Sequence, residues 1–410
     1  MRIAQVCPYD IGRSGGVQAH IRDTAAALAD LGHVVTIIAP QSSASEAGPM
    51  DVGPGLRLRR LGRARMINFA GTRFEISAAT GNDGRELTGL MRGNAFDVVH
   101  FHTPWTPFMA TQAFFACTAA KVVTFHDTPP ERAAGAFGRA AIGLISRTLL
   151  ASVDGLVAVS EAPRSHLRLP SGRPVSIVPP CTDLRRFQDA PTTASAPDAP
   201  VNILFVGRLE PRKGAMVLLQ AYRMLCAEGL KVRLQIAGGG GEETALHQFV
   251  ADNQLPDVEF LGAFEDAQAP ALFAGCDIFC APSPYGESFG VVLTEAMAAG
   301  KAVVAAGNRG YRTVIRGQAE PFLAEPGDPA SLYDRLRRLV ADPDLRERLG
   351  IWGAEAAMAY DCRTVAPRLV SVYAEAVAHH AARRKSAFQQ ALRPAAPADD
   401  ASALGDLSAP

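Results

Sequence analysis

Two carboxylates, Glu287 and Glu295, stand eight positions apart in GESFGVVLTEAMAAG, Gly286 to Gly300. Paired acids hydrolyse glycosides when their carboxyl groups lie about 5–9.5 Å apart. Here DIFCAPSPY reads as a strand and turn, and VVLTEAMAA has helical composition and spacing. Glu287 is therefore expected at or just before the helix start, and Glu295 about two turns in. If the whole interval were helical, at about 1.5 Å per residue, the acids would be roughly 12 Å apart. That is poor spacing for a hydrolase pair. It suits one acid near each end of an extended ligand. The backbone N–H groups of Ser288, Phe289, Gly290 and Val291 would lie between them, at a helix N-terminus that favours phosphate. The alternative is that Glu287 is only a helix-start acid and Glu295 a surface residue.

Cations stand where the phosphates of such a ligand would need them. Arg208 and Lys213 lie in GRLEPRKG (207–214), directly after the apolar run VNILFVG (201–207). Arginine forks onto phosphate oxygens and lysine adds a compact charge; a solvated loop is the other reading. Glycines 238 to 241 follow VRLQIAG and either admit a ligand or make a flexible turn. Ser14-Gly15-Gly16-Val17-Gln18 opens a helical stretch, where the backbone can approach an anion. It is not GxGxxG, so no dinucleotide fingerprint is read. His100-x-His102 could be half a metal site, but no third ligand is evident in sequence, and packing or cleft-lining is the simpler expectation. His126, with Asp127 beside it, ends the run KVVTFHD (121–127) and should face a cleft, bonded to a sugar or acceptor hydroxyl, or else be a packed strand-end residue.

The elements that position these residues repeat. IAQVCPY, HVVTIIAP, FDVVHFH, KVVTFHD, DGLVAVS and VSIVPP read as strands, most of them buried on both faces, with helical stretches between. In VQAHIRDTAAALADLG, Val17, Ile21, Ala25, Leu28 and Leu31 keep helical spacing, and Gly32 suits the position just past the end. DAPTTASAPDAP (189–200) reads as a linker, after which VNILFVG, VRLQIAG, VEFLG, DIFCAPS and AVVAAG start a second series. The fold class is therefore α/β, with two doubly wound Rossmann-like domains facing a central cleft. The first domain spans 1–188 and the second 201–364; a tail at 394–410 is expected to be disordered.

Bulk properties bound the function. The 410 residues are 48% hydrophobic, and 41 Lys+Arg balance 41 Asp+Glu, which argues against nucleic-acid binding through bulk positive charge. Seven scattered cysteines without a CxxC read as reduced, buried thiols of a cytosolic protein. The start MRIAQVCPYD has no apolar signal region, and no apolar run reaches the roughly 20 residues of a membrane span.

Taken together, GGVQ (15–18), the strand-end His126, VSEAPRSHL (159–167), GRLEPRKG (207–214), AGGGGE (237–242) and the Glu287-to-Glu295 element resemble the retaining glycosyltransferases of family 4, with the GT-B fold, over nearly all of residues 1–385. CPYD, GGVQ and EPRKG look most like the phosphatidylinositol mannosyltransferase branch, which uses GDP-mannose. The resemblance implies the Gly16 backbone, Arg208 and Lys213 at the diphosphate, Glu287 at the donor sugar, Glu295 at the ribose and His126 near the reacting centre. It implies Tyr9 and Gln18 facing the acceptor, and a C-terminal helix, about 365–385, crossing back onto the first domain. No metal or other cofactor is implied, because the cations can neutralise the diphosphate. Two departures bear on the acceptor side: Asp127 stands where that branch commonly has threonine, and VSIVPPCTD (175–183) replaces a PNGVD-like run.

The expectation is a transferase moving a hexose, mannose in that branch, from a nucleotide sugar to a lipid or glycan, with a UDP-sugar donor as the alternative. Rivals are a nucleotide-sugar epimerase or hydrolase and a non-catalytic nucleotide-sugar-binding protein. Arg57, Arg59, Arg60, Arg63 and Arg65 cluster with no acid from Val52 to Phe74. They either meet an anionic membrane surface from the cytoplasmic side or form a solvated loop or strand edge.

Overall fold

Apolar runs too short to be buried helices become parallel strands covered on both faces. The structure, a computed structural model, describes residues 1–13, 15–42, 50–69, 72–103, 106, 108–126, 149–164, 173–191 and 199–391. The first sheet comprises β1 (Arg2–Val6), β2 (Val34–Gln41), β3 (Met50–Gly53), β4 (Leu56–Phe69), β5 (Thr72–Ala78), β6 (Val98–His102), β7 (Ala120–Phe125), β8 (Gly155–Ala158) and β9 (Ser176–Ile177). Their order is β3-β4-β2-β1-β6-β7-β8-β9, with β5 on β4. The chain builds outward from β1 to one side and then crosses to β6, so the strand order reverses between those two strands. The second sheet comprises β10 (Val201–Val206), β11 (Val232–Ala237), β12 (Val258–Gly262), β13 (Ile278–Ala281), β14 (Ala302–Ala306) and β15 (Leu323–Ala324), in the order β12-β11-β10-β13-β14-β15. Its order reverses between β10 and β13. Ligands of such sheets bind beyond the carboxyl ends at these reversals.

Apolar clusters cover both faces of each sheet. The helix Gly16–Asp30 buries Ile21, Ala25 and Leu28 as its spacing predicts, and Gly32 takes the left-handed φ of 83° just beyond it. Leu31 departs from the expectation: it is the cap residue and lies exposed. The final helix, Cys362–Ala391, returns to the first domain. There Val365, Leu369, Tyr373 and Ala376 join Ile3, Val122 and Val157 in one core. All seven cysteines are unpaired, and six are buried.

The arginine cluster lies on β4. Leu58, Leu61 and Ala64 are buried and Arg57, Arg63 and Arg65 are exposed, a half-buried strand whose two-residue alternation slips where its pairing with β2 shifts register, between Arg60 and Arg63. Gly62, at φ 86°, re-aims the strand, and a Cβ there would lie 2.6 Å from the carbonyl oxygen of Ala78. Among the described residues, no helix is long and apolar enough to cross a membrane. The tail from 394 and most of the expected linker, 192–198, lie outside the described residues.

Candidate active site

The loop after β10 turns through the short helix Pro211–Lys213 into Gly214, whose φ is 76°. A Cβ at Gly214 would sit 2.4 Å from the carbonyl oxygen of Pro282, so the loop is pressed onto the segment that follows β13. This contact brings opposite charges together. Lys213 Nζ donates to Glu287 Oε1 at 2.7 Å, and Arg212 reaches the same oxygen at 3.4 Å. The Glu287 side chain is only 10% exposed. A carboxylate that deep needs its cations, because an unpaired buried charge is strongly destabilising. Arg212 also pairs with Glu210 at 3.0 Å, and Arg208 meets the other Glu210 oxygen at 2.8 Å. Arg208 is the most exposed of the set.

The helix carrying Glu295 runs Val291–Ala298, and Gly290, at φ 103°, is its cap. The sequence expectation is corrected here. Glu287 lies four residues before the helix, and Glu295 stands little more than one turn inside it, so the all-helical separation does not apply. Gly290 sets where the helix begins: its left-handed φ and the Tyr311 ring pressed against it (2.6 Å from where a Cβ would be) end the loop late. Leu293 N–H already donates to the Gly290 carbonyl at 3.0 Å, so the amides before it are the ones that lack an intrahelical carbonyl. Phe289 is buried edge-on against Tyr360, which leaves its backbone as the part a ligand can use. Burial raises the Glu295 carboxyl to about 7, against the opposing pull of Arg186.

A frame that sequence reasoning missed holds this loop. Ser283 bonds Tyr311 at 3.0 Å, Asn308 Nδ2 donates to the Ser283 carbonyl at 2.8 Å, and the Tyr311 amide donates to Asn308 Oδ1 at 2.9 Å. Arg212 and Glu210 were passed over as well, although their place inside the charged motif was a signal for them; the Ser283 frame joins separate loops and left no local signal. The four glycines divide. Gly238 and Gly240 pack on the backbone of Gly207 and Leu209, where a Cβ would fall 1.9 and 2.4 Å from carbonyl oxygens, while Gly239 and Gly241 have open space.

On the first domain, His126 follows β7 directly and His102 closes β6. His102 Nδ1 lies 2.8 Å from His126 Nε2, and His102 Nε2 lies 2.5 Å from Gln5 Oε1. His100 bonds Tyr373 at 2.7 Å and Thr124 at 2.6 Å. Burial keeps these rings neutral: it lowers His20 to about 4 and His100 to about 3, and holds His102 and His126 well below the usual range. The third imidazole absent from the sequence pattern is His20, whose ring lies with those of His102 and His126, one nitrogen of each within 4.8 Å of the others. The donor set does not suit a metal. His20 Nδ1 already accepts the Cys181 amide at 2.8 Å, so its proton sits on Nε2, and both nitrogens of His102 are bonded within the protein.

Of the other candidates, Gly16 is exposed, with open space where a Cβ would be, and Tyr9 is half-buried against the first core. Gln18 is buried, its amide lying over Gly15. Ser14 and Asp127 lie outside the described residues. The two carboxyl ends face each other: the Ser160 hydroxyl, just after β8, donates to the Ser288 carbonyl, and Arg22 meets Asp266 at 3.3 Å.

Comparison with known proteins adds an independent finding. A family model described as Glycosyltransferase Family 4 matches residues 14–186, and one described as Glycosyl transferases group 1 matches residues 190–355. The chain is 34% identical over 376 residues to a phosphatidyl-myo-inositol mannosyltransferase of Mycobacterium leprae, covering 91% of this chain and 96% of that one. It is 30% identical to a D-inositol 3-phosphate glycosyltransferase of Thermobispora bispora, over 89% and 91% of the two chains. Among solved structures, a sucrose-phosphate synthase from Thermosynechococcus elongatus superposes with a TM-score of 0.72 at 20% identity, covering 92% of this chain and 99% of that one.

Proposed function

The chain belongs to the family 4 glycosyltransferases and is a hexosyltransferase of the GT-B fold; from that premise we propose that it moves mannose from GDP-mannose to the inositol ring of a phosphatidylinositol-type lipid. The observation that carries the reading is the Lys213–Glu287–Arg212 cluster at the carboxyl end of the second sheet, beside the start of the helix Val291–Ala298. The identity to the mannosyltransferase of Mycobacterium leprae supports mannose and an inositol lipid.

The chemistry follows from charge. Cleaving the sugar–phosphate bond leaves negative charge on the diphosphate. Lys213 and Arg208, aided by Arg212 and the helix-start amides, oppose that charge as it develops. Glu287, acceptor-only while ionised, takes hydrogen bonds from sugar hydroxyls and fixes the ring. Glu295 does the same for the ribose. The acceptor enters from the first domain, past Tyr9, Gly16 and His126, and closure of the domains excludes water that would otherwise hydrolyse the donor. Configuration at the anomeric carbon is retained. Charge neutralisation by side chains makes a divalent ion dispensable, so turnover is expected to survive a chelator. The exposed Arg57, Arg63 and Arg65 of β4 seat the enzyme on anionic lipid.

The test is a thermal-shift panel with GDP, UDP and ADP, followed by a transfer assay on phosphatidylinositol vesicles. A ligand at about 100 times its dissociation constant stabilises by roughly 2.7 kcal/mol. Stabilisation by GDP alone, followed by mannosyl transfer to the lipid, is expected. Stabilisation by UDP alone overturns the donor, and donor consumption without a glycosylated lipid overturns the acceptor.

A further inference from the structure

The buried polar groups of the first domain form a continuous chain from the final helix to the cleft. Gln5 Nε2 donates to the Tyr373 hydroxyl oxygen at 3.1 Å. That leaves the hydroxyl's single proton for His100 Nδ1 at 2.7 Å, and His100 then donates from Nε2 to Thr124 at 2.6 Å. On the other side of the amide, Gln5 Oε1 can only accept, so His102 donates to it from Nε2 at 2.5 Å. His102 Nδ1 is then bare and must receive a proton from His126 Nε2 at 2.8 Å. A neutral imidazole has one donor and one acceptor nitrogen, so fixing one fixes the other. Turning the Gln5 amide over reverses every proton in the chain. With every one of these protons in a bond, the network has two directions, and the amide orientation that puts Gln5 Nε2 on Tyr373 and Oε1 on His102 selects the one described.

We propose that this chain, running from Tyr373 through Gln5 and His102, fixes the tautomer of His126, so that Nε2 carries the proton and Nδ1 is left as a hydrogen-bond acceptor for a hydroxyl in the cleft. Gln5, His102 and Tyr373 are then positioning residues. They make His126 an orienting acceptor, and a ring held neutral by burial is not poised to protonate the departing phosphate. The device also ties the cleft to the C-terminal helix, because Tyr373 reaches Gln5 across 368 positions of sequence and is fully buried. The acceptor role rests on the reading that puts His126 at the reacting centre; the tautomer itself does not.

The test uses the full chain with 15N-labelled histidine, His126→Asn serving only to assign the His126 signals. At neutral pH the wild-type ring shifts are expected to show a protonated Nε2 and a bare Nδ1 at His126. The opposite tautomer overturns the direction, and this spectrum needs no variant to fold. Gln5→Leu removes both ends of the amide. His126 is then expected to populate both tautomers, with kcat lower by about tenfold or more and KM for the donor unchanged. Gln5→Glu, acceptor-only while ionised, should keep His126 protonated on Nε2 and recover most of kcat at pH values above the introduced carboxyl's own pKa. A single unchanged tautomer in Gln5→Leu overturns the relay. A mixed tautomer with unchanged kcat overturns the acceptor role, and with it the placing of His126 at the reacting centre.

Discussion

The two walls of the cleft solve the same problem, placing polar groups where water is scarce, in opposite ways. The second domain uses full charges: Glu287 lies against Lys213 and Arg212, and Glu210 against Arg212 and Arg208. The first domain uses neutral rings, with His100 and His102 buried and bonded through Gln5, Tyr373 and Thr124. A charge in low dielectric is stable only beside an opposite charge, whereas a neutral ring needs only one donor and one acceptor. The charged wall is suited to a diphosphate, which brings its own charge. The neutral wall is suited to hydroxyl groups, which bring none.

The largest test of this contrast is acid. The unfolded chain takes up protons on histidine as pH falls below 6.5, while the folded first domain refuses them, His20 down to about 4 and His100 to about 3. Stability is therefore lost as pH falls from about 6.5 to 4, at about 1.4 kcal/mol per pH unit for each such histidine. Glu295 runs the other way. Its folded carboxyl titrates near 7 against 4.5 in the unfolded chain, so the folded state holds an extra proton between those values and loses stability as pH rises through them. Calorimetry from pH 7.5 to 4.5 should show the histidine loss dominating, and Glu295→Gln should steepen it. A flat profile would contradict the neutral wall.

Next in size is Glu287→Gln, which leaves Lys213 and Arg212 without their shared carboxylate. We expect kcat to fall about 100-fold, roughly 2.7 kcal/mol, in a steady-state transfer assay. Retention of a tenth of the activity would mean that the charged wall merely supports the loop. Lys213→Ala should cost about tenfold, roughly 1.4 kcal/mol, in the same assay; near-normal turnover would remove it from the diphosphate. The smallest effect is expected where the walls touch. Asp266 bridges Arg22 of the first domain and Arg186, at 3.3 and 3.1 Å, with partial exposure. Asp266→Ala should lower stability by no more than about 1 kcal/mol, measured by denaturant unfolding. A larger loss would show that the contrast between walls depends on a domain clamp.

Much of the architecture was legible because it is written locally. VNILFVG, VEFLG and AVVAAG are runs of apolar residues too short for buried helices, and each became a strand. Hidden from that reading was the strand β4, because a register shift between Arg60 and Arg63 breaks its alternation and leaves the buried Leu58, Leu61 and Ala64 three positions apart. Lys213 and Glu287 were each visible as candidates, but their pairing was not. The pair closes 74 positions of sequence through a loop that Gly214 presses onto Pro282. Likewise His100, His102 and His126 were visible at strand ends, whereas His20 and Gln5 looked like ordinary residues of a helix and a strand.

What the sequence determined by itself was the set of elements, the two-domain α/β plan and the charged loop after β10, since period, apolarity and turn residues act over a few positions. The tertiary structure alone decided which charges pair, which rings are buried and where Glu295 acquires its raised pKa. Strand order sets those neighbours, and strand order is fixed by crossovers and by the return of the final helix, contacts between segments up to 368 positions apart. Burial and hydrogen-bond partners, which set the chemistry of an imidazole or a carboxyl group, exist only once those segments have met.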